Sequence, residues 1–169
     1  MNKHYDRIYA AIDLDAISHN MDHISQIISN KTKIISVVKT DGYGHGAVPI
    51  AKELEEKEYM FGFATATAEE ALILRKAGIQ KPILVLGYVF PYAYEQMIQN
   101  EIRFAVFQED MLILIEEEAA RQNKTAFVHI KVDTGMSRIG IFPDENGCQF
   151  VGKVLEKEHI KIEGIFTHF

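Results

Sequence analysis

The sequence has no tryptophan, a single cysteine and four prolines in 169 residues. The lone Cys148 cannot close an internal disulfide and lacks the neighbours of a cysteine-rich zinc site, so a reducing, cytoplasmic setting is the simplest expectation. Apolar runs fall well short of the roughly 18 residues needed to span a bilayer. The amino-terminal stretch Met1 to Arg7 leads into no export-type apolar segment, because Asp13 and Asp15 interrupt it. A basic excess is also missing. Lys+Arg number 18 against 24 Asp+Glu, a formal net charge of −6, which argues against a nucleic-acid partner. No His or Cys pair has metal-ligand spacing, and no Gly-x-Ser-x-Gly elbow marks a hydrolase, so neither a metal centre nor a serine nucleophile is expected.

What remains is 47% hydrophobic and 25% charged, an ordinary globular composition. Short β-branched runs alternate with segments of helical period. Ile8 to Leu14 reads as a strand, with Asp15 capping a helix whose apolar stripe is Ile17, Met21, Ile24 and Ile28. Strands are then expected near residues 34, 61, 83, 103, 127 and 163, each but the last followed by a helical segment. Thr67 to Glu70 forms a T-x-x-E capping box, and Pro91 suits the start of a helix. The acidic runs Glu116 to Glu118 and Glu53 to Glu58 read as solvated helix faces. Near-continuous apolar strands alternating with helices predict an α/β fold with a parallel sheet. Period alone admits both an open doubly wound sheet and part of a (β/α)8 barrel, which takes about 250 residues when complete. The chain ends on the strand before Phe169 with no covering helix, an unexpected end for a complete barrel.

Chemistry in such folds gathers at the carboxyl ends of strands. Lys39 ends an apolar strand and opens Lys39-Thr40-Asp41-Gly42-Tyr43-Gly44-His45-Gly46. A buried strand end desolvates an ammonium and favours the neutral amine that Schiff-base chemistry needs. The glycines allow close backbone approach to a ligand ahead of a helix N-terminus. The same residues also fit a lysine stem running along a strand above a glycine-rich turn. A second strand end carries Lys131, Asp133 and Arg138, suited either to an anionic ligand or to an internal ion pair of Asp133 with Arg138 or Lys131. A third carries Thr167-His168, while His129 and His159 read as structural.

Val38 to Gly46 resembles the pyridoxal-phosphate lysine motif of alanine racemases. Further blocks agree in order: Ile12-Asp13-Leu14-Asp15, Glu70-Ala71, Leu74-Arg75, Pro82 to Gly87, Lys131 to Gly140 and Gly164 to Phe169. Thr40 and Gly42 stand where alanine is common. The resemblance implies a TIM-type (β/α)8 barrel, here covering about its first six strands across residues 1–169, with strands seven and eight and a C-terminal β-domain outside it. It implies that Lys39 carries pyridoxal phosphate as an internal aldimine and acts as one of two acid/base groups. Tyr43 would contact the phosphate, and Arg138 would bond the cofactor's phenolic oxygen and face substrate. Lys131, the position carbamylated in some members, would also face substrate, and His168 would belong to the network behind the ring.

The opposite-face tyrosine and the remaining phosphate contacts lie, by resemblance, beyond this segment, the tyrosine on the other subunit of a head-to-tail dimer. Two readings follow. One is the N-terminal part of a racemase acting on alanine, with serine as second candidate substrate. The other is a non-catalytic pyridoxal-phosphate-binding or vestigial half-barrel. Small single-domain pyridoxal-phosphate barrels are a more distant comparison, since they lack the Tyr-Gly-His-Gly block. An incomplete barrel exposes strand edges, so self-association is expected, with the segment Ile8 to Leu14 displaced or paired to another copy.

Overall fold

The computed structural model describes residues 7–169. Residues 1–6, part of the amino-terminal stretch tested above for an export signal, lie outside the described residues. Six strands form one parallel sheet in strict sequence order: β1 (Ile34–Val37), β2 (Met60–Thr65), β3 (Ile83–Val85), β4 (Ile102–Val106), β5 (Ala126–Val132) and β6 (Ile160–Thr167). The helices are α1 (Leu14–Ile27), the single turn α2 (Lys39–Tyr43), α3 (Ala47–Glu55), α4 (Ala68–Lys76), α5 (Tyr94–Gln99, entered by a 3-10 turn over Pro91–Ala93), α6 (Glu109–Gln122) and α7 (Glu145–Leu155).

Strand order decides what the hydrophobic period left open. Parallel crossovers are right-handed, so strands laid down in unbroken order put every crossover helix on one face of the sheet. A doubly wound sheet needs a reversal of order, and this sheet has none among its strands. The architecture is a six-stranded arc of a TIM-type barrel, helices outside and the inner face lining a cleft.

The core fills the space between sheet and helices. Phe63, Ile83, Val85, Ile102, Phe104, Val128 and Ile130 point outward against Leu54, Leu74, Met97, Met111, Ile115 and Val154. In β5 the period of two is plain: Ala126, Val128 and Ile130 join that core, while His129 and Lys131 turn to the inner face. Local signals fix the helix ends. Asp13 Oδ1 accepts the Ala16 N–H at 3.0 Å, Thr67 Oγ1 accepts the Glu70 N–H at 3.3 Å, and Asp144 Oδ1 accepts the Gly147 N–H at 2.9 Å.

Several expectations are corrected. Ile8 to Leu14 forms no strand, and helix α1 begins at Leu14 with Asp13, not Asp15, as its cap. A β-favouring segment needs an edge to pair with, and Ile8 and Tyr9 lie exposed instead. The acidic runs are less solvated than expected. Glu116 accepts the His159 N–H and contacts its ring, Glu118 binds Arg121, and Glu55 Oε1 accepts the N–H groups of Gln80 and Lys81. His159 is structural as expected, tying the turn before β6 to α6.

Candidate active site

At the carboxyl ends of the strands the inner face opens into a cleft of about 690 Å³. Its lining brings together Lys39 from the end of β1, Lys131 from β5, Arg138 from the loop after β5, and His168 from the end of β6. Apolar walls come from Ile35, Leu84, Leu86, Ile139 and Phe166. Lys39, Lys131 and Arg138 give the lining three basic side chains and no carboxylate, in a chain whose formal charge is −6. Such a concentration of one sign selects for an anionic ligand.

Lys39 is half-buried rather than buried, because β1 is an edge strand whose inner side is open: Val37 is 39% exposed. Immediately after it the chain turns left-handed. Thr40, Asp41, Gly42 and Tyr43 have φ of 54°, 51°, 62° and 55°. Each non-glycine residue in this conformation costs about 1–2 kcal/mol, so surrounding contacts must hold the turn. They are specific. Asp41 Oδ1 accepts the Ala47 N–H at 2.8 Å, completing the start of α3, and the Gly42 N–H reaches Val38 O at 2.9 Å. A β-carbon on Gly42 would lie 3.0 Å from Ile50 Cδ1 and 3.2 Å from Ala47 N, so glycine is required there. Tyr43 lies outside the cleft lining, its ring centroid 5.9 Å from Lys39 Nζ.

Lys131 is 3% exposed, and its Nζ donates to Val132 O at 2.7 Å while lying 5.7 Å from the Phe166 ring centroid. The ion pair considered for Asp133 is not formed with either cation among the described residues. Its Oδ1 instead accepts the N–H groups of Gly135 at 2.9 Å and Ser137 at 3.0 Å. These amides, Gly135 first, hold its carboxyl below the ordinary carboxylate range. The loop closes on its own strand through Ile141, whose N–H reaches Lys131 O at 2.9 Å and whose carbonyl accepts the Asp133 N–H at 2.8 Å. That closure presents Arg138 to the cleft. His168 is exposed, with Nδ1 2.9 Å from Phe169 O.

His129, expected to be purely structural, also lines the cleft. Its Nε2 lies 3.1 Å from Glu163 Oε2, and Arg103 grips both Glu163 oxygens at 3.0 Å. Burial pushes the Glu163 carboxyl up, but Arg103 and His129 outweigh it and leave it below the ordinary range. The signal was available: His129 precedes Lys131 by two residues on a strand, so both share a face. Tyr88, just beyond β3, is a further cleft residue that carried no sequence signal of its own.

Comparison with known proteins agrees with this geometry. The profile of the family described as "Alanine racemase, N-terminal domain" matches residues 12–169. An alanine racemase from Halothermothrix orenii is 44% identical over 170 residues, which cover 100% of this chain and 44% of that protein. The solved alanine racemase of Clostridium difficile 630 in complex with cycloserine has a TM-score of 0.91 at 40% identity, covering 94% of this chain and 43% of that one. A histidine racemase from Leuconostoc mesenteroides has a TM-score of 0.85 at 26% identity, covering 94% of this chain and 42% of that one. The chain thus spans less than half the length of these relatives. With its strand order, its cleft and this match across nearly all its residues, the chain belongs to the alanine racemase N-terminal domain family.

Proposed function

We propose that this chain supplies the lysine side of a pyridoxal-phosphate-dependent amino-acid racemase, with alanine as substrate. The observation that carries the reading is the cationic, acid-free cleft with Lys39 at its rim. The residues fit the group: apolar walls suit a planar ring, a primary amine suits an aldehyde, and Lys131 and Arg138 suit anionic oxygens. When bound, pyridoxal phosphate withdraws electrons from the amino acid and acidifies its Cα–H.

Lys39 Nζ would hold the cofactor through its aldehyde carbon and, when free of it, would take and return the Cα proton on one face of the substrate. Arg138 would donate hydrogen bonds to the cofactor's phenolic oxygen and orient the substrate, its planar guanidinium suiting an anionic oxygen. Lys131, buried in the same lining, would add a second basic group toward the substrate. By resemblance Tyr43, which lies outside the cleft lining, would contact the phosphate, and His168 would belong to the network behind the ring.

Inversion needs a second acid on the opposite face, which one lysine cannot supply. By resemblance it is a tyrosine of a second subunit, outside this segment. Substrate choice is assigned to that remainder as well, since a relative of the same fold is a histidine racemase. Serine remains the runner-up substrate.

The test is Cα–H exchange in deuterated water, with the chain, pyridoxal phosphate and each alanine enantiomer separately. One enantiomer should gain deuterium at Cα faster than it inverts, and Lys39→Ala should abolish the gain. Exchange unaffected by Lys39→Ala would sink the reading.

A further inference from the structure

We infer that Glu70 is a positioning residue for Lys39: its carboxylate clamps the left-handed turn that follows the lysine and so aims Nζ into the cleft. The sequence signals a capping box at Thr67 to Glu70, in which the glutamate turns back onto its own helix start. The structure keeps one half of the box, the Glu70 N–H to Thr67 Oγ1 bond. The Glu70 side chain goes elsewhere. Oε1 accepts the Thr40 N–H at 2.8 Å, 30 residues away in sequence, and Oε2 accepts the Ala66 N–H at 2.8 Å.

One carboxylate therefore joins the residue next to Lys39 to Ala66, itself part of the cleft lining beyond β2. Thr40 is a β-branched residue at φ 54°, a conformation it does not hold by preference. Asp41 fixes the turn on α3 and Glu70 fixes it on α4, so the chain leaves Lys39 in one direction only. A charge-assisted bond to a backbone amide is among the stronger hydrogen bonds available for this purpose.

The inference rests on the role proposed for Lys39, so its test reads two quantities in the full chain. The first is amide hydrogen exchange at Thr40 and through Gly44. The second is the share of pyridoxyl adduct at Lys39, relative to all other lysines, after borohydride reduction with pyridoxal phosphate as the probe. In Glu70→Ala, with the thermal midpoint recorded alongside, exchange should quicken and the Lys39 share fall, each by about ten-fold or more. Glu70→Gln keeps one acceptor at the same reach and should recover part of both, a rescue that loss of general stability does not predict.

Unchanged exchange in Glu70→Ala overturns the clamp, and quickened exchange with an unchanged Lys39 share overturns the aiming. If Glu70→Ala does not fold, Glu70→Gln decides alone, and no change in either quantity overturns the inference. A lack of Lys39 preference in the unsubstituted chain instead defeats the cofactor reading. Exchange at Thr40 then still decides the clamp.

Discussion

At the scale of single residues, buried polar groups set the testable energetics. Tyr94 packs edge-on to Phe104 with ring centroids 5.3 Å apart, and its buried hydroxyl has no hydrogen-bond partner among the described residues. Burial also pushes that phenol well above its ordinary pKa. Tyr94→Phe removes the unpaired group and keeps the ring, so urea unfolding should show a gain of about 1 kcal/mol; a loss would mean the hydroxyl is bonded. Asp133 and Glu163 both hold their protons more weakly in the folded chain than ordinary carboxyls do. Their contribution to stability is therefore complete above the unfolded carboxyl pKa of about 4 and is lost as pH falls through the depressed folded values. Glu163→Gln should flatten that acid limb. At neutral pH it should cost about 1.5–3 kcal/mol, because Arg103 keeps a largely buried charge with a weaker partner. Unfolding curves taken between neutral and acid pH check both, and an unchanged acid slope in the variant would contradict the role given to Glu163.

At the scale of elements, the loop after β5 depends on one backbone approach. Gly140 has φ 131°, and a β-carbon there would lie 2.6 Å from Asp133 N and 2.8 Å from Val132 C. Gly140→Ala must therefore open the loop that presents Arg138. We expect a stability loss of about 1–3 kcal/mol by denaturant titration together with weakened cofactor binding; full binding would show that the loop closure is dispensable. The contrast between this loop and others shows what the sequence could reveal. All six barrel strands were legible, because alternating apolar periods and helix caps are local properties. The left-handed turn at Thr40 to Tyr43 was not, because three of its four residues are not glycine and distant groups stabilise them. Glu70 was legible only in part: its N–H caps the helix on Thr67 as expected, but Thr40, one of its carboxylate's two partners, lies 30 residues away. The segment Ile8 to Leu14 failed in the opposite sense, since strand propensity is realised only by pairing, and the segment joins neither open edge of the sheet. That Lys39, Lys131, Arg138 and His168 share one cleft lining was legible because strand ends converge at one end of a barrel, whereas Tyr43 follows Lys39 in sequence yet falls outside that lining.

At the scale of the molecule, the six-stranded arc leaves β1 and β6 as edges among the described residues. Along the open inner side Val37 and Ile165 are exposed, the latter to 66%, and Phe169 is almost fully exposed. Unpaired parallel edges beside apolar side chains favour association. Sedimentation across a range of concentrations should show reversible self-association, and a single monomeric species throughout would contradict it. The central claim is narrower and concerns Lys39. The decisive measurement is borohydride trapping of the chain with pyridoxal phosphate, read by peptide mass at each lysine. The account predicts an adduct concentrated on Lys39, with the exposed lysines such as Lys52, Lys76 and Lys124 labelled only in excess reagent. Labelling spread over those surface lysines with no preference for Lys39 would contradict it.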